Sequence, residues 1–305
     1  MDAENYHIID AHSHLWMHQS AVVNGLPVRP LTNGRVNFLG EERQMLPPWI
    51  LDGHNTAEIF LSNMDYAQVS AAVVVQELID GNQNDYLLQV ASDYPGRFFV
   101  TGMPDFDAPD LPSQARQLHS QGFRGISVPA HRLRLAPYSP ELLAMYAEME
   151  RLGMILSITL GEDKGSAERF ERAIVRCPDL KVAIGHFGMV TTPHWLDQIR
   201  LARYPNVYIE SGGITWLFNS EFYPFPSAVE AIRRAADEVG IDKLMWGSDY
   251  PRTITAITYR MSFDFILKSN LLTDSEKHAF LSDNARRFYG FGDLVTLPYI
   301  KNMSE

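Results

Sequence analysis

Only one cysteine, Cys177, occurs in 305 residues, and a single thiol cannot close an intramolecular disulfide. The chain therefore suits a reducing compartment. Cys177 lies in Ile174-Val175-Arg176-Cys177-Pro178, a helix end, which favours a buried structural thiol over a nucleophile. Positive charge is also short: 26 Lys and Arg against 37 Asp and Glu leave a net −11. That balance argues against a nucleic-acid or anionic-membrane surface, although a local arginine cluster can still hold an anionic substrate. No apolar run approaches the roughly 18 residues of a spanning helix. Met1-Asp2-Ala3-Glu4-Asn5 lacks the basic and apolar regions of a signal peptide, so a cytoplasmic protein is expected.

Hydrophobic residues make up 46% of the chain and charged ones 21%, which describes an ordinary globular protein able to bury a large core. Short β-rich runs alternate with amphipathic segments. The runs are His7-Ile8-Ile9 leading into Asp10, then 71–76, 98–102, 125–128, 155–159, 182–185, 207–210 and 243–247. Between them, helices are expected over 84–94, near 111–121 with a stop at Gly122, and from Ser139-Pro140 to Gly153. Asn55-Thr56-Ala57-Glu58, Ser227-Ala228-Val229-Glu230 and Thr273-Asp274-Ser275-Glu276 read as capping boxes, and Gly290 as a helix stop. Residues 19–55, rich in Pro, Gly and Asn without clear periodicity, read as a long ordered loop.

Eight strands separated by helices are what an α/β fold of the (β/α)8 barrel type requires. The expected organisation is one domain over 1–305 with C-terminal helices and an insertion near 19–55. A doubly wound open sheet is the alternative, but the first strand lacks the Gly-x-Gly-x-x-Gly turn of a dinucleotide fold. Barrel enzymes carry their chemistry at the C-terminal strand ends. Strand one ends in Asp10-Ala11-His12-Ser13-His14, where period two would place Asp10, His12 and His14 on one face. Two such imidazoles can converge on one divalent metal, or simply hydrogen-bond in a loop. Strand six ends in Gly185-His186, strand seven in Glu210-Ser211-Gly212-Gly213, and strand eight in Gly247-Ser248-Asp249-Tyr250-Pro251.

These residues resemble the amidohydrolase superfamily in its amidohydrolase 2 branch. Ile9 to His14, Gly185-His186, Trp246 to Pro251 and the ending Asp283 to Gly290 carry the likeness across nearly the whole chain. The branch includes metal-dependent decarboxylases and lactonases. The resemblance implies metal ligands among His12, His14, Asp249, His186 and Glu210, with zinc first, manganese second, or no metal at all. The decarboxylases supply a histidine from strand five, and 155–161 contains none. Lactonases also lack it, and Trp16 and Gln76 fit their pattern. Glu210 stands where many lactonases have Lys, so it is a metal ligand or an ion-pair partner.

The expected reaction is hydrolysis of a small sugar or carboxylated lactone, with Asp249 activating water and His12, His14 and His186 polarising the carbonyl. The alternative is a metal-dependent decarboxylase of an aromatic or muconate-like acid, in which Asp249 supplies the proton that replaces CO2. A catalytically silent ligand-binding barrel is the third reading. Arg132, Arg134, Arg252 and Trp16 are the expected substrate contacts, for an anionic or polyhydroxylated small molecule. Exposed aromatics in the long loops allow a homo-oligomer; nucleic acid and membrane are not expected partners.

Overall fold

Apolar runs and helix caps divide the chain into the elements of a computed structural model that describes residues 7–303. The N-terminal residues read for a leader, 1–5, lie outside the described residues. In chain order the elements begin with β1 (Ile8–Ser13), β2 (Ala21–Val23), β3 (Leu26–Pro30), β4 (Arg35–Phe38), β5 (Glu41–Gln44) and α1 (Ala57–Ala67). Then follow β6 (Val69–Val74), α2 (Asn84–Asp93), β7 (Phe98–Val100), α3 (Leu111–Gln121), β8 (Gly125–Val128), α4 (Pro140–Arg151), β9 (Ile155–Ile158) and α5 (Ser166–Arg176). The last part is β10 (Lys181–Ile184), α6 (Trp195–Ile199), β11 (Val207–Glu210), α7 (Ile214–Leu217), α8 (Pro226–Val239), β12 (Leu244–Met245), α9 (Met261–Lys268), α10 (Asp274–His278) and α11 (Asn284–Tyr289).

β1, β6 and β7 pair in parallel, and so do β8 to β12 in sequence order. Two seams join these sets. Gly102 bridges Ile126 between β7 and β8, and Ser13 bridges Tyr250 between β1 and the segment after β12. At the second seam Ala11 N–H donates to the Trp246 carbonyl over 2.8 Å and Asp249 N–H to the His12 carbonyl over 2.9 Å. Eight parallel strands in chain order make a (β/α)8 barrel. Ile9, Ala11, Ala71, Val73, Ile155, Ala183 and Met245 fill its interior, and Phe288 and Tyr289 of α11 pack beneath them. Phe288 meets Tyr208 and the Lys181 ammonium at the strand starts, so α11 closes the N-terminal mouth and leaves chemistry to the other end.

Several expectations are corrected. Residues 19–55 are largely a four-stranded antiparallel meander, β2 to β5, rather than a loop. Its Gly and Asn are turn residues: Asn24-Gly25 joins β2 to β3 with φ of 52° and 81°, and Leu39-Gly40 joins β4 to β5 with 55° and 95°. Paired positive φ values are the signature of a tight hairpin. Asn55 does not cap α1, whose N-cap position is Thr56; its side-chain amide donates instead to the His14 carbonyl, 2.7 Å away. Likewise α8 begins at Pro226, and the Ser227 N–H goes to the Glu221 carboxylate. Ser139 and Thr273 do cap their helices as expected.

The shared face of Asp10, His12 and His14 is also corrected. Asp10 pairs with Ala72 and Ser13 with Val74, so three steps of β1 lie against two of β6. Such a bulge reverses the alternation of faces. Asp10 accordingly accepts bonds from Ser248 Oγ at 2.5 Å and Tyr259 OH at 2.7 Å, and burial raises its carboxyl to about 6 despite them. It anchors the strand-eight loop from behind.

Candidate active site

After the bulge, His12 and His14 face the C-terminal mouth. His12 Nε2 lies 3.1 Å from His14 Nε2, and Asp249 Oδ1 lies 3.6 and 3.3 Å from the two nitrogens. The ligand atoms of these three residues all fall within 4.8 Å of one another. Each imidazole has a carboxylate behind it: His12 Nδ1 is 2.6 Å from Glu210 Oε1, and His14 Nδ1 is 2.9 Å from Asp80 Oδ2. Ionised carboxylates only accept, so both Nδ1 atoms donate, and in the neutral rings both Nε2 lone pairs face one another. Three converging acceptors repel unless a proton or a cation lies among them. That donor set fits a divalent metal with positions left for water and substrate.

The electrostatics match. Burial opposes charge on both rings, yet Glu210 beside His12, and Asp80 and Asp249 beside His14, hold both imidazoles above the ordinary range. Burial also opposes the Asp249 anion, but the His14 hydrogen bond and the neighbouring His186, His12 and His14 hold it below the usual carboxylate range. The glycines of the strand-end motifs make room for the pair. A Cβ at Gly247 would meet His12 Cβ at 2.6 Å, and one at Gly212 would meet Glu210 Oε2 and His12 Cγ, each at 2.8 Å.

Other expected residues take different places. Glu210 reaches the rear nitrogen of His12 and the Gly212 N–H, so it is an ion-pair partner rather than a member of the ligand triad. The His186 ring centre is 4.7 Å from that of His12, and His186 too lies outside the triad. Its Nδ1 is 2.9 Å from the Gly212 carbonyl and must donate to it, which leaves a lone pair on Nε2. Burial and the neighbouring His12 lower its pKa, which favours the neutral ring, so Nε2 accepts hydrogen bonds and cannot polarise a carbonyl by donating to it. Trp16 is fully buried against Leu46 and Ile50 with its N–H on the Gly53 carbonyl, which removes it from the substrate contacts. Gln76 is equally buried, donating to the Thr101 carbonyl and to Asn84.

Among the arginines, Arg132 bonds to the half-buried Glu77 carboxylate and lies 5.9 Å from the Phe38 ring of β4. Arg134 is exposed beside it. Arg252 stands 3.7 Å over the Trp216 ring, and Trp216 Nε1 donates to Asp249 Oδ2 over 2.6 Å. Sequence reasoning missed Asp80, Glu77 and the role of Trp216. Glu77-Leu78-Ile79-Asp80 forms a reciprocal cap in which Asp80 also accepts the Glu77 N–H at 3.1 Å. Two acids three residues apart just after a barrel strand were the legible signal. At the end of β9, where no histidine was expected, His131 arrives from the preceding loop with its backbone N–H on the Thr159 carbonyl. Burial, Arg132 and His186 push its imidazole down to about 4.

The family model described as Amidohydrolase matches residues 9–291. The chain belongs to this family. The L-fucono-1,5-lactonase of Burkholderia ambifaria is 27% identical over 263 residues, 80% of each chain. Among solved structures, a probable 2-pyrone-4,6-dicarboxylic acid hydrolase from Acinetobacter baumannii, with citric acid bound, superposes with a TM-score of 0.71 at 20% identity, over 93% of this chain and 99% of the other. The 5-carboxyvanillate decarboxylase of Novosphingobium aromaticivorans, complexed with manganese, gives 0.58 at 18% identity over 77% and 80%. This amidohydrolase-family chain therefore shares its fold with hydrolases across almost its full length and with a decarboxylase across about three quarters. No helix among the described residues is long and apolar enough to cross a membrane.

Proposed function

We propose that the protein hydrolyses the ester bond of a small anionic or polyhydroxylated lactone, with Asp249 as the base. The convergence of His12, His14 and Asp249 at one mouth of the barrel carries this reading, together with an acceptor set that no histidine from β9 completes. Asp249 Oδ1 takes a proton from water as the water oxygen bonds to the lactone carbon. The ring C–O bond then breaks and the alkoxide collects a proton, giving a hydroxy acid. The neutral His186 ring, 4.7 Å from that of His12, offers Nε2 as a hydrogen-bond acceptor that can orient the attacking water. His12, His14 and Asp249 would hold a divalent metal, and their nitrogen and oxygen donors favour zinc, with manganese the next candidate. Such an ion, when bound, polarises a carbonyl and acidifies water. Arg252, which forms no ion pair among the described residues, stands over the indole that bonds to the base and would receive a substrate carboxylate, with Arg134 as a second candidate.

The test is proton release from sugar lactones and carboxylated pyrones, run beside CO2 release from hydroxybenzoic and muconate-like acids. Lactone opening that falls at least 100-fold in Asp249→Asn supports the reading. CO2 release without lactone opening would replace it with the carboxy-lyase.

A further inference from the structure

The Asp249 carboxylate divides its two oxygens between different neighbours. Oδ1 faces His12 and His14, while Oδ2 takes the Trp216 indole N–H at 2.6 Å. Trp216 is half-buried whereas Asp249 is buried, so the indole lies on the solvent side of the carboxylate. The exposed Arg252 guanidinium lies 3.7 Å over the outer face of that ring, and the His186 ring centre is 6.0 Å away in an edge arrangement. The backbone is shaped for this placement. Gly213 has φ of 72°, and a Cβ there would meet indole Nε1 at 1.9 Å. Asp249 itself is a non-glycine residue at φ 58°, a conformation that persists only when its surroundings enforce it.

We infer that Trp216 is a positioning residue: its N–H fixes Asp249 Oδ2 and so points Oδ1 at the histidine pair, while Arg252, stacked on its face, meets the incoming substrate. The two functions are separable because they use different parts of one ring. The N–H edge acts on the base, and the face acts on the arginine. An indole is the side chain that offers both, since it donates from one edge and presents a broad face to a cation. Phe at this position keeps the face and loses the donor.

The inference rests on Asp249 being the base for its kinetic consequence, but the hydrogen bond can be read without substrate. With tryptophan indole nitrogens labelled with 15N, the resonance that disappears in Trp216→Phe is expected far downfield among the five Trp residues. It is expected to move upfield in Asp249→Ala and in Gly213→Ala. A Trp216 resonance at an ordinary position that ignores Asp249→Ala would overturn the proposal, whether or not a substrate is known. In steady-state assays Trp216→Phe should lower kcat roughly tenfold or more with KM little changed, the loss expected for one bond to a charged group. Arg252→Met should raise KM and spare kcat. Equal losses in both parameters for the two variants would show that the stack merely holds the loop in place. If no lactone turns over in the parent protein while the resonance behaves as described, the hydrolase reading fails and the positioning stands.

Discussion

Carboxylates set the behaviour of nearly every functional side chain in this molecule. Glu210 and Asp80 each orient one imidazole from behind, so their removal should weaken metal binding. For Asp80→Asn, chelator competition should show metal affinity lower by about 10- to 100-fold; an unchanged affinity would mean that His14 keeps its orientation unaided. The arginines separate by the same reasoning. Arg132 pairs with Glu77, whose side chain is 12% exposed and whose burial raises its pKa despite the arginine. Truncation to Arg132→Ala strands that acid and should lower stability by about 2 kcal/mol in denaturant titrations. Arg252 has no such duty, and its loss should leave stability alone. A KM effect for Arg132 without a stability effect would return it to the substrate contacts.

Helices and strands formed where local chemistry was sufficient. The α10 start shows this: Thr273 Oγ1 accepts the Glu276 N–H and Glu276 accepts the Thr273 N–H, a reciprocal cap visible in four letters of sequence. Thr273→Ala should lower stability by about 1 kcal/mol, read as a shifted denaturation midpoint. Glu276 also bonds to Arg233, and that hydrogen bond, with those from Thr273, lowers its carboxyl from 4.5 to about 2. A depressed carboxylate stabilises the fold above its unfolded pKa, and this contribution fades as pH falls from 4.5 towards 2. The site is well solvated, so the amount is below about 1 kcal/mol, and Glu276→Gln should flatten the acid limb of a melting curve by no more than that. The meander failed the same local reading. Its strands have three to five residues, too few for periodicity to register, although Asn24-Gly25 announced a hairpin turn. Val28 and Val36 become buried only because the meander folds onto Ile79 at the barrel mouth.

At the scale of the whole barrel, the candidate metal triad joins the two ends of the strand order, since His12 lies near the end of β1, His14 just after it, and Asp249 after β12. An ion held there would close the seam between them and would stabilise the native state through its binding free energy. Exhaustive chelation should therefore lower the melting temperature, and one equivalent of zinc or manganese should restore it; a melting temperature indifferent to both would remove the metal from the proposed function. The strand count, the helix caps at Ser139 and Thr273, the buried Cys177 and the rim histidines were legible from the chain, because each rests on neighbours a few residues apart. The bulge that turns Asp10 away from His12 could not be read there, since it depends on register against β6. The same holds for Asp80 on His14, Glu210 on His12 and Trp216 on Asp249, which span 66, 198 and 33 residues. Local sequence determined which side chains reach the rim of the barrel. Barrel closure alone decided which atoms face each other there, because hydrogen-bond partners this far apart are chosen by strand register and loop packing rather than by spacing along the chain.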